Sequence, residues 1–297
     1  GLMEGVIFKD ENLEGRFKMS NFDAEVLTQF IDDNRLKMSG LVFGEILIEK
    51  HQDDFDVDVD LSFKKGIYMD EPFDEMIVSG LYKNGILHLD DISMTKEKSM
   101  GLHIDGIIPV NKKNTDQIKI AMESSFSNLS LKFLHRFIPK FFNIDGMATG
   151  SISLNGTNEQ TRFSYDINID NPLFDLVKMD NLISKGTYNG KELIIEMAQA
   201  SNKDGLIQSS GSVPFDLNIG SSRFGKYFEN DSIKLMTEAE LSNLPFLSPY
   251  IADLDSVNGN YEINLFIEGP IKNINRNGKV VIHNGEIYTQ LLNDPVR

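Results

Sequence analysis

The side chains of this sequence most able to do chemistry are five histidines and 45 acids, and their spacing decides whether they do it together. His51, His88, His103, His135 and His283 stand far apart, with no His-x-x-x-His pair that would aim two imidazoles at one zinc ion. Each reads as an ordinary strand or loop residue. The run Asp53-Asp54-Phe55-Asp56-Val57-Asp58-Val59-Asp60 has the acid density of a calcium loop. Counting from Asp54 or Asp56, however, neither a Gly at the sixth position nor a Glu at the twelfth is present. Alternating Asp on a strand makes a solvated face whose like charges discourage sheet-to-sheet aggregation, so no metal site is expected. The absence of Cys removes thiolate nucleophiles, disulfides and Cys-based zinc or iron–sulfur sites. No Gly-x-Ser-x-Gly elbow occurs. The stretch Gly186-Thr-Tyr-Asn-Gly190-Lys191 is one residue short of a phosphate-cradling loop and lacks the Ser or Thr that should follow, so a hairpin turn explains it better. Among so many acids no glycosidase-like carboxylate pair stands out, because that separation is a tertiary property. The chain therefore reads as a non-enzyme without a cofactor.

The elements around these residues carry more information. In 297 residues, 29 Lys and Arg face 45 Asp and Glu, a formal charge of −16 spread along the whole sequence. A partner of nucleic acid would need a basic face, so none is expected. An apolar fraction of 40% with 20 Phe and 8 Tyr supplies a packed interior and rules out a disordered chain. No run approaches the ~18–20 apolar residues of a bilayer span, and nothing near Gly1 resembles a signal peptide. Any anchor or export signal is expected outside this sequence.

Strands and turns dominate. Asn-Gly, a strong hairpin signal, occurs at Asn84-Gly85, Asn155-Gly156, Asn189-Gly190, Asn258-Gly259, Asn277-Gly278 and Asn284-Gly285. Asp-Gly adds Asp105-Gly106, Asp145-Gly146 and Asp204-Gly205. Between them the alternation is strict, with apolar Val57, Val59, Leu61 and Phe63 in one stretch, Tyr165, Ile167 and Ile169 in a second, and Tyr261, Ile263, Leu265 and Ile267 in a third. A period of two places these side chains on one sheet face and the intervening polar residues on the other.

The pattern also repeats. Asn21-Phe22, Asn128-Leu129 and Asn243-Leu244 each lead through an aromatic-Ile pair to a glycine, Gly40, Gly146 and Gly259. Asp60, Gly80 and Tyr82 lie 106 residues before Asp166, Gly186 and Tyr188, and Gly101, Gly106 and Pro109 match Gly205, Gly211 and Pro214 with small drifts. The expectation is one continuous repeat array over 1–297, with approximate units 14–125, 126–240 and a partial third at 241–297, each full unit holding about seven strands. One helical candidate falls in each unit. In the second, Leu131, Leu134, Ile138 and Phe141 have helical spacing until Pro139 interrupts, with Lys132, His135, Arg136 and Lys140 on other faces. It reads as a short helix capping a sheet edge, or as an amphipathic element on lipid headgroups, since it is the most basic stretch of the chain.

The stretch Leu241 to Gly259, then Tyr261-Glu-Ile-Asn-Leu-Phe-Ile-Glu-Gly-Pro270, then Gly278-Lys-Val-Val-Ile-His-Asn-Gly285-Glu-Ile-Tyr288, resembles the TamB/AsmA-like family of bacterial envelope proteins, relatives of the bridge-like lipid transfer proteins. The same order recurs at 126–157 and, more loosely, at 21–49. Lys50-His51 departs from it, standing where the other copies have glycines. The resemblance implies an all-β fold: an elongated repeat of antiparallel strands forming a curved open sheet, a β-taco, with an apolar groove and short helical segments. It implies a periplasmic protein, held at the inner membrane by a segment outside this chain, that carries phospholipids between inner and outer membrane. Phospholipid acyl chains would be its partners, lying against Val57, Val59, Leu61, Phe63, Tyr165, Ile167, Ile169, Tyr261, Ile263, Leu265 and Ile267, together with an outer-membrane barrel protein of the Omp85 type. The alternation by itself leaves a sandwich core open as well. An envelope scaffold or adhesin, or an outer-membrane protein assembly factor built from β repeats, would share the same turns and acidic exterior.

Overall fold

The computed structural model describes residues 1–9, 13–28, 38–51, 54–68, 71–97, 99–110, 119–132, 144–174, 177–219, 221–228, 230–243 and 254–289. They form an all-β protein with 18 strands of open antiparallel sheet and a single helix, α1 (Ala24–Thr28). Of the helix expected over Leu131, Leu134, Ile138 and Phe141, Leu131 and Lys132 are helical and the rest lies outside the described residues. Two compact units divide the chain, one of Gly1–Leu129 with Ser151–Asn158, the other of Ser130–Gly150 with Glu159–Arg297.

The first unit is a meander of β1 (Leu2–Lys9), β2 (Leu13–Asp23), β3 (Leu41–His51), β4 (Asp54–Tyr68), β5 (Glu71–Lys83), β6 (Ile86–Lys96), β7 (Met100–Pro109) and β8 (Ile120–Ser130). Each strand pairs antiparallel with the next. After β9 (Ile144–Gly156), the second unit runs through β10 (Thr161–Phe174), β12 (Asn181–Tyr188), β13 (Glu192–Asn202), β14 (Gly205–Asp216), β16 (Ser232–Asn243), β17 (Leu254–Pro270) and β18 (Asn275–Thr289). Two-residue strands β11 (Val177–Lys178) and β15 (Lys226–Tyr227) pair with β10 and β14.

Turn chemistry accounts for only part of the Asx-Gly pattern. Asn84 and Gly85, at φ 52° and 78°, make the two-residue hairpin that joins Lys83 to its partner Ile86, as expected of a type I′ turn. Asn189-Gly190 lies between β12 and β13, and Asp204 turns the chain from β13 into β14. The other six expected turns lie inside strands: Asn155-Gly156, Asn258-Gly259, Asn277-Gly278, Asn284-Gly285, Asp105-Gly106 and Asp145-Gly146. Tolerance of positive φ serves a β-bulge as well as a reversal, and several of these pairs sit at or opposite shifts of ladder register, as at Leu89/Ile92 and Asn258/Asn260.

Some of the residues matched in the sequence share a backbone conformation. Gly40, Gly146 and Gly259, matched in sequence, have φ of 122°, 129° and 142°, and the matched pair Gly106 and Gly211 have 138° and 140°. At the last two a Cβ would stand 2.2 Å from the Ala121 carbonyl oxygen and 2.0 Å from that of Lys234, so only glycine fits. Asn21 and Asn128, also matched, are both left-handed at 54° and 46°.

Each unit has a cluster of buried apolar residues toward one end of its strands, with Ile120 and Tyr188 buried at the other. In the first, Met19, Val42, Phe63, Phe73, Met94 and Met100 gather at the end where α1 lies, and Ala24 of that helix is wholly buried with its N–H bonded to the Gly40 carbonyl. In the second, Ala239, Leu241 and Tyr261 form a buried cluster with Ile207 and Ile263 packed against it.

Candidate functional site

Strand pleating assembles the alternating residues into one face per unit. In the first unit Ile46, Val59, Gly80, Leu89 and Gly106 lie side by side on β3 to β7, with Ile48, Val57, Tyr82 and Leu87 in the adjoining row. In the second unit Leu182, Ala200, Ile207, Ala239, Ile263 and Val280 form one row from β12 to β18. Beside it Tyr165, Gly186, Ile195, Gly211, Leu235 and Ile267 form another from β10 to β17. Bulky side chains alternate with glycine across the strands, and a Cβ on Gly186 would come within 3.0 Å of the Tyr165 hydroxyl.

All eleven residues singled out from the sequence lie on these faces. Leu61, Phe63, Ile169 and Tyr261 are buried, Tyr261 at 2% exposure; Val57, Val59, Tyr165, Ile167, Ile263, Leu265 and Ile267 are half-buried. Val57, Val59, Leu61 and Phe63 are together on β4 of the first unit. The other seven share one face of the second, on β10 and β17, with β12, β13, β14 and β16 between them. On the opposite side of β4, Asp58 and Asp60 are exposed, as the alternation requires, whereas Asp56 is buried and bonded to the Lys83 ammonium, whose pKa that bond raises.

Half-burial along the middle of the strands is what ladder neighbours alone provide. Among the described elements, the strands that pack closely against one another are those that pair in the ladder. In the second unit Met179, Ala200, Ile207 and Leu241 line a cavity of about 60 Å³, and in the first unit Leu2, Lys18, Met19, Gly44 and Asp60 line a more open, more polar hollow of about 470 Å³.

The other end of the second unit is closed by a polar network that the sequence did not disclose. The Asn218 amide donates to the Asp216 carboxylate (3.0 Å), the Gly190 carbonyl (3.0 Å) and the Tyr188 hydroxyl (3.3 Å), while its oxygen accepts the Thr161 N–H (2.9 Å). Leu217 N–H donates to the Tyr188 oxygen at 2.9 Å, and the Tyr188 ring stacks on Phe163 at 5.2 Å. Burial pushes the Tyr188 phenol up, and Tyr261 likewise. Burial would also raise Asp216, but hydrogen bonds from Ser221 and Asn218, with Arg223 nearby, hold its carboxyl below the usual range. The partners of this network lie up to 57 residues apart, so no local pattern announces it.

Among the described residues no group of three or more His, Asp or Glu converges as a metal ion would require. His103 sits between Asp91 (3.1 Å) and Asp105 (3.3 Å) on the exposed face of the first unit. No described helix is long and apolar enough to cross a membrane. No family model, curated protein or solved structure matches this chain.

Proposed function

We propose that this chain is a lipid-binding segment of a periplasm-spanning bridge-like protein, carrying phospholipids between inner and outer membrane in an apolar β-groove. The observation that carries the reading is the half-buried apolar face that runs across the ladder of each unit, backed by a mixed opposite side on which exposed acids such as Asp58, Asp60, Glu238 and Glu262 stand among residues such as Met236 and Phe266. Two further features support it. The glycines set between bulky residues, Gly80, Gly186 and Gly211, are what a sheet needs to curl toward its apolar side. The repeat grammar resembles that of envelope proteins with this role.

The energetics make such a face useful. A diacyl phospholipid carries roughly thirty methylenes, and at ~0.8 kcal/mol each, exposure to water costs on the order of 20 kcal/mol. A trough of half-buried Ile, Leu, Val and Tyr removes much of that cost while leaving the headgroup in solvent. Neighbouring rows offer similar contacts, so acyl chains slide between positions of nearly equal energy. No polar pocket is needed, and headgroup selectivity is accordingly low.

The test is organic extraction of the 297-residue protein, purified without detergent, followed by mass spectrometry for phospholipid. One or more lipids per chain, reduced in Leu265→Asp and Ile167→Asp, is the expected result. A monodisperse protein that holds no lipid and takes up no fluorescent phospholipid would put the apolar faces to another use and end this reading.

A further inference from the structure

The segment between β14 and β16 runs against the acidic balance of the chain. Residues 217–228 carry Arg223 and Lys226 and no acid, in a protein with a formal charge of −16; Glu229 and Asp231 come only after it. Here apolar side chains are also turned outward: Phe224 is 55% exposed, Ile219 44% and Tyr227 42%.

The segment is firmly mounted. At its root the buried Asp216 carboxylate accepts the Ser221 hydroxyl (2.7 Å) and the Asn218 N–H (3.1 Å), and Gly225 N–H returns to the Asp216 carbonyl at 2.7 Å. Ile219 N–H donates to the Thr161 hydroxyl, Phe228 N–H to the Pro214 carbonyl, and the Tyr227 ring packs against Phe215 at 4.9 Å. Arg223 lies 5.4 Å from the Phe228 ring centre and donates to the Tyr227 carbonyl, which fixes its guanidinium beside the aromatics. Apolar side chains held into water on a cross-linked mount, next to two cations, match what a bilayer interface rewards. Aromatic rings settle at headgroup depth, and Arg and Lys meet lipid phosphates.

We propose that this segment docks the chain on the surface of a bilayer containing anionic phospholipid, with Phe224, Ile219 and Tyr227 entering the headgroup layer and Arg223 and Lys226 meeting its negative charge. Docking is separate from lipid carriage: it needs no groove, and a groove needs no docking segment.

The absence of Trp makes the test direct, since Phe224→Trp places the only indole at the tip of the segment. With vesicles of phosphatidylcholine containing about one third phosphatidylglycerol, its emission shifts to the blue, and with phosphatidylcholine alone the shift is small. Adding Arg223→Gln and Lys226→Gln weakens vesicle binding roughly 25-fold, each cation being worth about a factor of five. No shift with anionic vesicles, or one that the double Gln substitution leaves intact, overturns the proposal. Ile167→Asp in the Phe224→Trp background separates the two readings. A retained shift assigns the signal to docking, and a lost one assigns it to lipid taken up on the apolar face and overturns docking by this segment. Far-UV circular dichroism confirms that each variant remains β-folded.

Discussion

The sharpest consequence of a half-buried face is that charge should be tolerated there and refused at its buried end. Leu265 and Leu241 lie on the same side of the second unit, but Leu241 is 6% exposed within the Tyr261 cluster while Leu265 is half-buried. Fully burying a Leu side chain is worth about 1.5–3 kcal/mol, so Leu265→Asp forfeits roughly half, about 1 kcal/mol, with the new carboxylate still reaching water. At roughly 2–4 °C per kcal/mol for a large domain, the melting midpoint falls by a few degrees. Leu241→Asp forfeits the whole transfer energy and also buries an unpaired carboxylate, about 4 kcal/mol or more, enough to unfold the second unit. Thermal melts by far-UV circular dichroism, with extraction and mass spectrometry on the same samples, read both effects. Leu265→Asp keeps the fold and loses lipid; Leu241→Asp loses the fold. Equal destabilisation by the two would mean that Leu265 is packed under protein, and the groove argument would fail with it.

Three further perturbations probe the framework. Tyr188→Phe keeps the ring on Phe163 but strips Leu217 N–H and Asn218 of their acceptor, at a cost of about 1–2 kcal/mol in denaturant unfolding; a change within error would show that the network adds no stability. Because Asp216 titrates below the ordinary carboxyl value, its contribution is complete above about pH 4, the unfolded value, and drains away as pH falls through the lower folded one. Urea midpoints should therefore fall more steeply below about pH 4 in the wild type than in Asp216→Asn, and parallel curves would refute the assignment. Gly106→Ala and Gly211→Ala each force a Cβ against a carbonyl oxygen at a φ only glycine accepts, and each should cost about 2 kcal/mol or more. Gly225→Ala, with open space around its Cβ position and φ 78°, is the milder control at about 1 kcal/mol, and similar losses at all three would refute the steric account.

What the sequence made legible were features with a fixed short period. Alternation placed Val57, Val59, Leu61 and Phe63 on one face of β4 and Asp58 and Asp60 on the other, because strand pleating leaves no other arrangement. The repeat was read from spacing alone, and Gly106 and Gly211, which it matches with a small drift in offset, share a φ near 140°. Asx-Gly pairs were ambiguous for a physical reason: Asn84-Gly85 reverses the chain and Asn258-Gly259 bulges it, yet both ask only for residues that accept positive φ. The Tyr188–Asn218–Thr161 network and the segment carrying Phe224 were hidden. Their partners come from β10, β12 and the stretch after β14, and neither motif nor period links positions that far apart.

The two kinds of burial divide the labour within each unit. Residues such as Phe63 and Met94 in one, or Leu241 and Tyr261 in the other, supply cohesion at one end of the strands whatever lies on the rest of the face. The half-buried rows supply less than they could, since an Ile that remains partly in water contributes only part of its transfer energy. A second sheet laid over those rows would recover the remainder. Under the proposed function, bound lipid would restore the loss from outside. A ligand that binds only the folded chain adds RT ln(1 + [L]/Kd), about 2.7 kcal/mol at a hundredfold excess over Kd, comparable to burying one more large side chain fully. On the opposite side Asp58, Asp60, Glu238, Glu240 and Glu262 stand exposed, like charges that discourage sheet-to-sheet association.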